Sequence, residues 1–493
     1  MDKKHRGGFH GNYFGTGHTA QCLMEYKEIL NIKYFIDNSK EKQEGRFNGY
    51  NVYAPLKLKE ESDDSYEYII IASEQFAYSM KKQCIEILGI KKEKIIIFHE
   101  RDITPWYISG EIAKVLSDDD ITKRKKDLHK KAENAPFCVT YSKDKKVTFF
   151  LYGEGYTGCV LEYLNEKYNA VIVDDDRVSG EQYSNGIHII CDEMEYTTPE
   201  ENTIYLSRYI DIVYMNNRDF WNMLIKYQRQ KKDIKAIITG MSYFRDAFIC
   251  ELLKILAVKL TCSSQDLFYD FMMFKEIYQK TGEGVNHVFI GLAPYSLRYD
   301  LSLASSIEYL LFSYYSCLHT FHNNKKLDQI GKFIDDQKAK IEGNIDEHIC
   351  EYVYEQYTRR NDEKLWETFQ LDSLRESDYM EVEEEFNKPY QATLEENKLI
   401  IEEYISYCTS RNISVYLVIP PFTNWYKEHW KQSYCDELKM VIRDLRNKYE
   451  FTLLDFSEQD WEDKYFYNNG HLNMYGARRF TNILNTYLTP LTE

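Results

Sequence analysis

Two residues of this 493-residue chain have the types and settings needed for nucleophilic chemistry. The run Ile234-Lys235-Ala236-Ile237-Ile238-Thr239 reads as a buried strand, ends in Gly240-Met241-Ser242-Tyr243, and gives way near Arg245 to a helical apolar pattern of Phe248, Ile249, Leu252, Leu253 and Leu256. Ser242 therefore stands at a strand-to-helix turn. That position exposes a hydroxyl at the C-terminal edge of a sheet and aims backbone N–H groups at a developing oxyanion. The plainer alternative is an ordinary helix N-cap, a place serine favours. His471 lies in Tyr467-Asn468-Asn469-Gly470-His471-Leu472-Asn473, a loop leading into a helix from about Arg478. A histidine there can meet Ser242 across the top of a parallel sheet and supply the base that a weakly nucleophilic hydroxyl needs. The alternative is a loop histidine satisfied by its neighbours.

A second chemistry is carried by glycine-rich turns. Gly15-Thr16-Gly17-His18-Thr19-Ala20 precedes an amphipathic stretch and the strand Tyr34-Phe35-Ile36, which ends at Asp37-Asn38. The strand Val147–Tyr152 leads into Gly153-Glu154-Gly155-Tyr156-Thr157-Gly158, then a helical stretch, then Ala170-Val171-Ile172-Val173 ending at Asp174-Asp175-Asp176. Each acid, Asp37 or Asp175, follows the middle glycine by 20 residues, so the two stretches read as a duplicated βαβ unit. In such a unit, glycines let the backbone approach a phosphate at a helix N-terminus, and the acid takes ribose hydroxyls. Gly15, Gly17, Asp37, Gly153, Gly155, Gly158 and Asp175 are the candidate nucleotide contacts. The alternative is that these glycines only make tight turns.

The N-terminal unit, with its G-x-G-x-x-A, F-I-D-N, G-Y-x-V and I-I-I-A-S blocks, resembles the small Rossmann-like domain carried by sugar O-acyltransferases and other nucleotide-sugar enzymes. The resemblance implies a nucleotide or nucleotide-sugar ligand. Residues 233–493 resemble an SGNH (GDSL-like) hydrolase domain of the branch with DltD-like acyl-transfer proteins. Gly240-Met241-Ser242-Tyr243 matches the nucleophile block, and Cys262-Ser263-Ser264-Gln265-Asp266-Leu267 resembles the second block. His287–Ser296 falls where the later oxyanion block belongs, and His471-Leu472-Asn473-x-x-Gly476-Ala477 matches the closing block. The resemblance implies Ser242 as nucleophile and His471 as base, with Gly291, Tyr295 or backbone N–H groups at the oxyanion. It requires no cofactor and no metal. Two departures stand out. The family carries Asp three residues before the histidine, where this chain has Asn468, and the G-x-N-D block is absent. Asn468 can orient the imidazole but cannot stabilise imidazolium by charge. Asp455 and Asp463 are nearby acids that could replace it. A catalytically degenerate scaffold whose Rossmann-like modules read a nucleotide-sugar is the competing reading.

The elements that must position these residues give an α/β chain: two tandem Rossmann-like βαβ modules, then a three-layer α/β SGNH-like domain with a helical insertion. The expected boundaries are 1–116, a charged linker at 117–146, 147–232, and 233–493 with the insertion at 321–397. The acidic Glu381, Glu383, Glu384 and Glu385 of the insertion read as a solvated face.

Composition narrows the function classes. With Lys+Arg 62 against Asp+Glu 79, the net charge of −17 argues against a nucleic-acid-coating protein and against a chain held by anionic lipid. Apolar residues make up 43%, enough for several cores. No run approaches 18 uncharged apolar residues, and the basic start lacks an apolar signal region, so no membrane span and a cytoplasmic location are expected. The 11 cysteines show no C-x-x-C and no zinc spacing, which fits reduced, buried thiols. The expected partner is a small-molecule or glycan acyl ester. Oligomeric state is not legible.

Overall fold

The computed structural model describes residues 11–61, 65–73, 76–99, 102–103, 108–109, 112–116, 119–120, 122–123, 137–173, 179–230, 233–281, 284–358, 382–386 and 391–488. The chain forms two compact units. One comprises Met1–Asn216, Ser305–Tyr309 and Gln329–Asp362; the other Asn217–Ala304, Leu310–Asp328 and Glu363–Glu493. The architecture is mixed α/β, with parallel-rich sheets.

The first unit holds two sheets. In the first, β1 (Gly11–Phe14), β2 (Ile32–Ile36), β4 (Tyr50–Tyr53), β5 (Tyr68–Ile71) and β6 (Ile95–Ile97) run parallel, and β3 (Arg46–Phe47) joins antiparallel at one edge. The order β3-β4-β2-β1-β5-β6 makes β1 central. Alternate residues feed opposite cores, as a sheet covered on both faces requires. Tyr13, Phe35 and Ile70 pack on one side, and Phe14, Ile36, Ile69 and Ile71 on the other.

The second sheet contains β7 (Phe137–Ser142), β8 (Val147–Tyr152), β9 (Ala170–Ile172), β10 (Ile187–Ile190) and β11 (Thr203–Ile204), in the order β11-β10-β8-β7-β9. The repeat seen in the sequence holds for the order of elements along the chain but not for their places in the sheet. β7 forms a hairpin with β8 and separates it from β9, pairing antiparallel with both. β10, aligned in sequence with β4, instead flanks the central strand as β5 does beside β1. The cause is Phe137-Cys138-Val139-Thr140-Tyr141-Ser142, a strand-forming run inside the expected charged linker.

The helices Asp328–Asn344 and His348–Thr358, expected as part of the insertion in the Ser242 domain, belong with this second sheet. Lys145 Nζ donates to the carbonyls of Asn344 and Ile345 (3.0 and 2.8 Å), the Tyr168 hydroxyl donates to Ile345 O (2.7 Å), and Gln337 Oε1 accepts from Tyr205 N–H (2.6 Å).

The second unit is built on one parallel sheet of β12 (Ala236–Gly240), β13 (Ala257–Thr261), β14 (His287–Gly291), β15 (Ser414–Ile419) and β16 (Thr452–Asp455), ordered β13-β12-β14-β15-β16. Every residue of β12 is buried, so it reads as a continuous apolar run. Ala236 and Ile238 face a core with Phe244, Phe248, Phe480 and Leu484, supplied by the helices Ser242–Ala247 and Met474–Leu484 and the segment that follows the first of them. Thr239 points the other way, to the Tyr404 hydroxyl of the helix Gln391–Thr409 (3.2 Å). Strand order reverses between β12 and β14, and such sheets place their sites outside the carboxyl ends of strands at that reversal. Ser242 follows β12 by two residues, and Gly291 ends β14. Among the described residues no helix is long and apolar enough to cross a membrane. All eleven cysteines are free thiols.

Candidate active site

The turn after β12 is a tight one. Gly240 has φ +141°, a backbone that side chains rarely adopt, and a Cβ there would come within 3.1 Å of the Gly291 Cα. A Cβ on Gly291 would in turn meet the Phe244 ring at 2.2 Å. The two strand ends therefore close on Phe244, and the following helix starts at once. Its N-cap is Met241, not Ser242. Ser242 is the first helical residue, so its side chain is not used for capping, and its Oγ lies 2.8 Å from His471 Nε2.

His471 is held by its own loop. Asn468 Oδ1 accepts from the N–H groups of Gly470 (3.0 Å) and His471 (2.8 Å) and stands 3.0 Å from His471 Nδ1. The two backbone donors fix which end of the amide faces the ring. An amide oxygen only accepts, so Nδ1 carries the proton and Nε2 keeps its lone pair toward the Ser242 hydroxyl. That is the tautomer a general base requires. The loop is anchored on both sides. Asn473 caps the last helix by accepting from Gly476 N–H (2.9 Å) and donates to Lys464 O (2.7 Å). A Cβ at Gly476 would strike Tyr465 O at 2.2 Å. From the loop after β15, Thr423 Oγ1 donates to Asn469 O (2.6 Å). The H-L-N-x-x-G block is thus largely a device for setting one imidazole.

Electrostatics follow from burial. His471 is 4% exposed, and burial pushes its pKa down to about 4, against the pull of Asp246 and with a smaller push from Arg245. Asp246 is the charge that sequence reasoning missed. Its carboxylate takes the Arg245 Nε (2.7 Å) and the Tyr467 hydroxyl (2.7 Å), and it is held below the usual carboxylate range chiefly by Arg245, against burial. Arg245 also bonds Asp219 and Ser263 Oγ (2.7 Å). The sequence-nominated substitutes are elsewhere engaged: Asp455 Oδ1 accepts from Ser457 N–H and Oγ (3.0 and 2.6 Å), and Asp463 opens a short helical turn.

Glu385, read from sequence as part of a solvated acidic face, is turned inward. Its Oε1 accepts from the hydroxyls of Tyr243 (2.7 Å) and Tyr295 (3.4 Å), and its Oε2 from Tyr426 (2.7 Å). Burial and this carboxylate raise all three phenol pKa values well above normal, so they remain donors. The physical reason for the misreading is that the flanking Val382 and Phe386 bury the short helix Val382–Phe386, which carries Glu385 in with them. Tyr295, an expected oxyanion donor, directs its hydroxyl to Glu385 and to Met241 Sδ (3.2 Å) as a member of this cluster. Tyr243 links cluster and site: its ring stacks on His471 at 4.3 Å between centroids.

In the other unit, Asp37, Gly15, Gly153 and Gly155 of the candidate nucleotide residues are closely engaged with the protein itself. Asp37, 7% exposed, accepts from Thr16 N–H (3.0 Å) and Oγ1 (2.6 Å) and from Ser39 N–H (2.8 Å), so it ties its own glycine turn rather than presenting a free carboxylate. A Cβ on Gly15 would come 2.9 Å from Ala72 O, while Gly17 and Gly158 face open space. On Gly153 a Cβ would fall on the Asp192 carboxylate (2.0 Å), and on Gly155 on Cys191 O (2.4 Å). The close approach these glycines permit is to the chain itself, and a carboxylate beside the turn repels phosphate. Asp175 lies outside the described residues.

Comparison with known proteins bears on the N-terminal sheet. Residues 13–96, reaching from β1 to β6, match a family model described as C2185-like, N-terminal. The match does not extend to Ser242 or His471. No curated protein matches the chain.

Proposed function

We propose that this protein is a serine esterase or O-acyltransferase of the SGNH type, acting on an acyl ester of a sugar or surface-polysaccharide precursor. The observation that carries the reading is the Ser242 Oγ···Nε2 His471 contact of 2.8 Å, with the ring's other nitrogen facing Asn468 Oδ1. Ser242 Oγ attacks the acyl carbon while His471 Nε2 takes its proton. The alkoxide leaves with that proton, and water or an acceptor hydroxyl then repeats the sequence on the acyl-enzyme. The backbone N–H groups at the start of the helix, which no intrahelical carbonyl accepts, stabilise the oxyanion. No metal or cofactor enters these steps.

The test is turnover of short-chain acyl esters. Ser242→Ala and His471→Ala should each lower kcat by about 10⁴ or more while the chain stays folded. Unchanged activity in Ser242→Ala removes the assignment. The competing reading, an inactive scaffold that binds a nucleotide-sugar, draws on Asn468 standing where the family has an acid. It predicts no turnover, with a rise in melting temperature on adding nucleotide-sugars.

A further inference from the structure

Away from Ser242, in the same unit, three side chains converge. Asp266 precedes the helix Leu267–Thr281, Asp300 lies beyond β14, and His322 follows the helix Leu311–Leu318. One oxygen of each carboxylate and a ring nitrogen of His322 all lie within 4.8 Å of one another. Both aspartates are buried, at 2% and 1% exposure.

The imidazole supplies the second, independent observation. Its side chain is nine-tenths buried, and its Nδ1 has no hydrogen-bond partner. Nε2 is 3.0 Å from Glu396 Oε1, so it carries a proton and donates. In the neutral ring Nδ1 is then a lone pair, and it faces Asp300 Oδ1 at 3.7 Å. That gap is too long for a hydrogen bond. It is the separation of two ligands bound at about 2.1 Å to one small cation. The ring cannot turn away, because it stacks on Phe268 at 3.7 Å with the planes 5° apart.

The surroundings are arranged as outer-shell partners. Asp266 accepts from the N–H groups of Tyr269 (2.9 Å) and Leu301 (2.7 Å). Asp300 accepts from Ser302 N–H (2.9 Å) and Oγ (2.5 Å) and from Asn323 Nδ2 (2.9 Å). Asn323 Nδ2 also reaches Glu396 Oε2 (2.9 Å). A carboxylate on the far nitrogen of a ligating histidine fixes its tautomer and raises its basicity.

From this geometry we infer that Asp266, Asp300 and His322 bind one divalent first-row cation, Zn²⁺ or Mn²⁺, with Glu396 orienting the histidine. Two hard carboxylate oxygens and one imidazole nitrogen suit these ions. The ion staples three connections of the unit, including the segment from β14 through Tyr295 to Asp300. The sequence hid the site because its ligands stand 34 and 22 residues apart, far from any short zinc spacing.

The test uses the full chain after EDTA treatment and dialysis. Titration with Zn²⁺ or Mn²⁺ should show one equivalent bound per chain and a melting temperature raised by several degrees, with Mg²⁺ much weaker. His322→Ala and Asp300→Asn should each abolish uptake, and Glu396→Gln should weaken it about 10- to 100-fold. Should the first two variants fail to fold, Glu396→Gln and the wild-type titration decide. Absence of stoichiometric binding or of a melting shift in the wild type overturns the site, leaving an imidazolium–carboxylate cluster. Uptake unchanged in folded His322→Ala, or unchanged in Glu396→Gln, also overturns it.

Discussion

Asn468 does two jobs with one oxygen: it closes the loop on two backbone N–H groups and sets the tautomer of His471. In serine proteases, exchanging the triad acid for its amide costs about 10⁴ in kcat, because it spoils the tautomer. Here the amide oxygen faces the ring, so orientation is kept and only charge is missing. Asn468→Asp should therefore raise ester turnover by roughly 10-fold, mainly in kcat, since charge develops on the imidazole after substrate binds. A fall in kcat with the fold intact would show that Asp246 already fills the electrostatic role. The pH profile tests the same geometry. A buried histidine with its pKa near 4 stays a competent base down to mildly acid pH. The wild-type rate should be flat from pH 8 to about 5.5 and fall through about 4, while in Asn468→Asp the acid limb moves upward. His471 also links pH to stability. Its folded pKa lies below the ordinary 6.5, so the unfolded chain binds more protons between these values. This contribution is complete above pH 6.5 and is lost as pH falls toward 4. A denaturation series in which His471→Gln removes that slope would verify the sign.

At the scale of elements, the short helix Val382–Phe386 matters more than its length suggests. Glu385 is the shared acceptor of three phenols, one of which lies flat against His471. Removing it strands buried donors, each costing about 1–3 kcal/mol. Glu385→Ala should lower stability by about 3 kcal/mol or more and slow turnover at least 10-fold, and Glu385→Gln should recover most of both. Calorimetry and kcat measured together decide this, and an unaffected rate in Glu385→Ala would uncouple the cluster from the site. Gly155→Val should destabilise the first unit, because its Cβ meets Cys191 O, whatever nucleotide is present. These elements also show where sequence reading succeeds and where it stops. The strand and glycine turn before Ser242 were legible because the backbone dictates their residues, glycine at φ +141° above all; the helix after the turn was misplaced, since it ends at Ala247 and the apolar run from Phe248 to Leu256, read as helical, is extended chain around one short turn at Cys250–Leu252. Asp246 and Glu385 were not legible, because the phenols they bind are brought to them by tertiary packing from 41 to 221 residues away. The strand Phe137–Ser142 was read as part of the charged linker because its charged neighbours on both sides dominate the local pattern, although it pairs with Val147–Tyr152.

For the whole molecule, 79 acids against 62 bases leave a net charge of −17, and self-repulsion weakens a compact chain. Raising NaCl from 20 to 200 mM should increase the melting temperature by a few degrees, as the screening length shrinks to about 10 Å or less. A melting temperature that falls with salt would mean that surface ion pairs outweigh this repulsion. The central claim, that Ser242 is a nucleophile activated by His471, has a more direct test. Full-length protein treated with a fluorophosphonate probe, with the adduct mapped by mass spectrometry, should be modified at Ser242. The label should be absent in Ser242→Ala and slowed at least 100-fold in His471→Ala. Folded protein that takes up no label, or that takes it up at another residue with Ser242 untouched, would contradict the account.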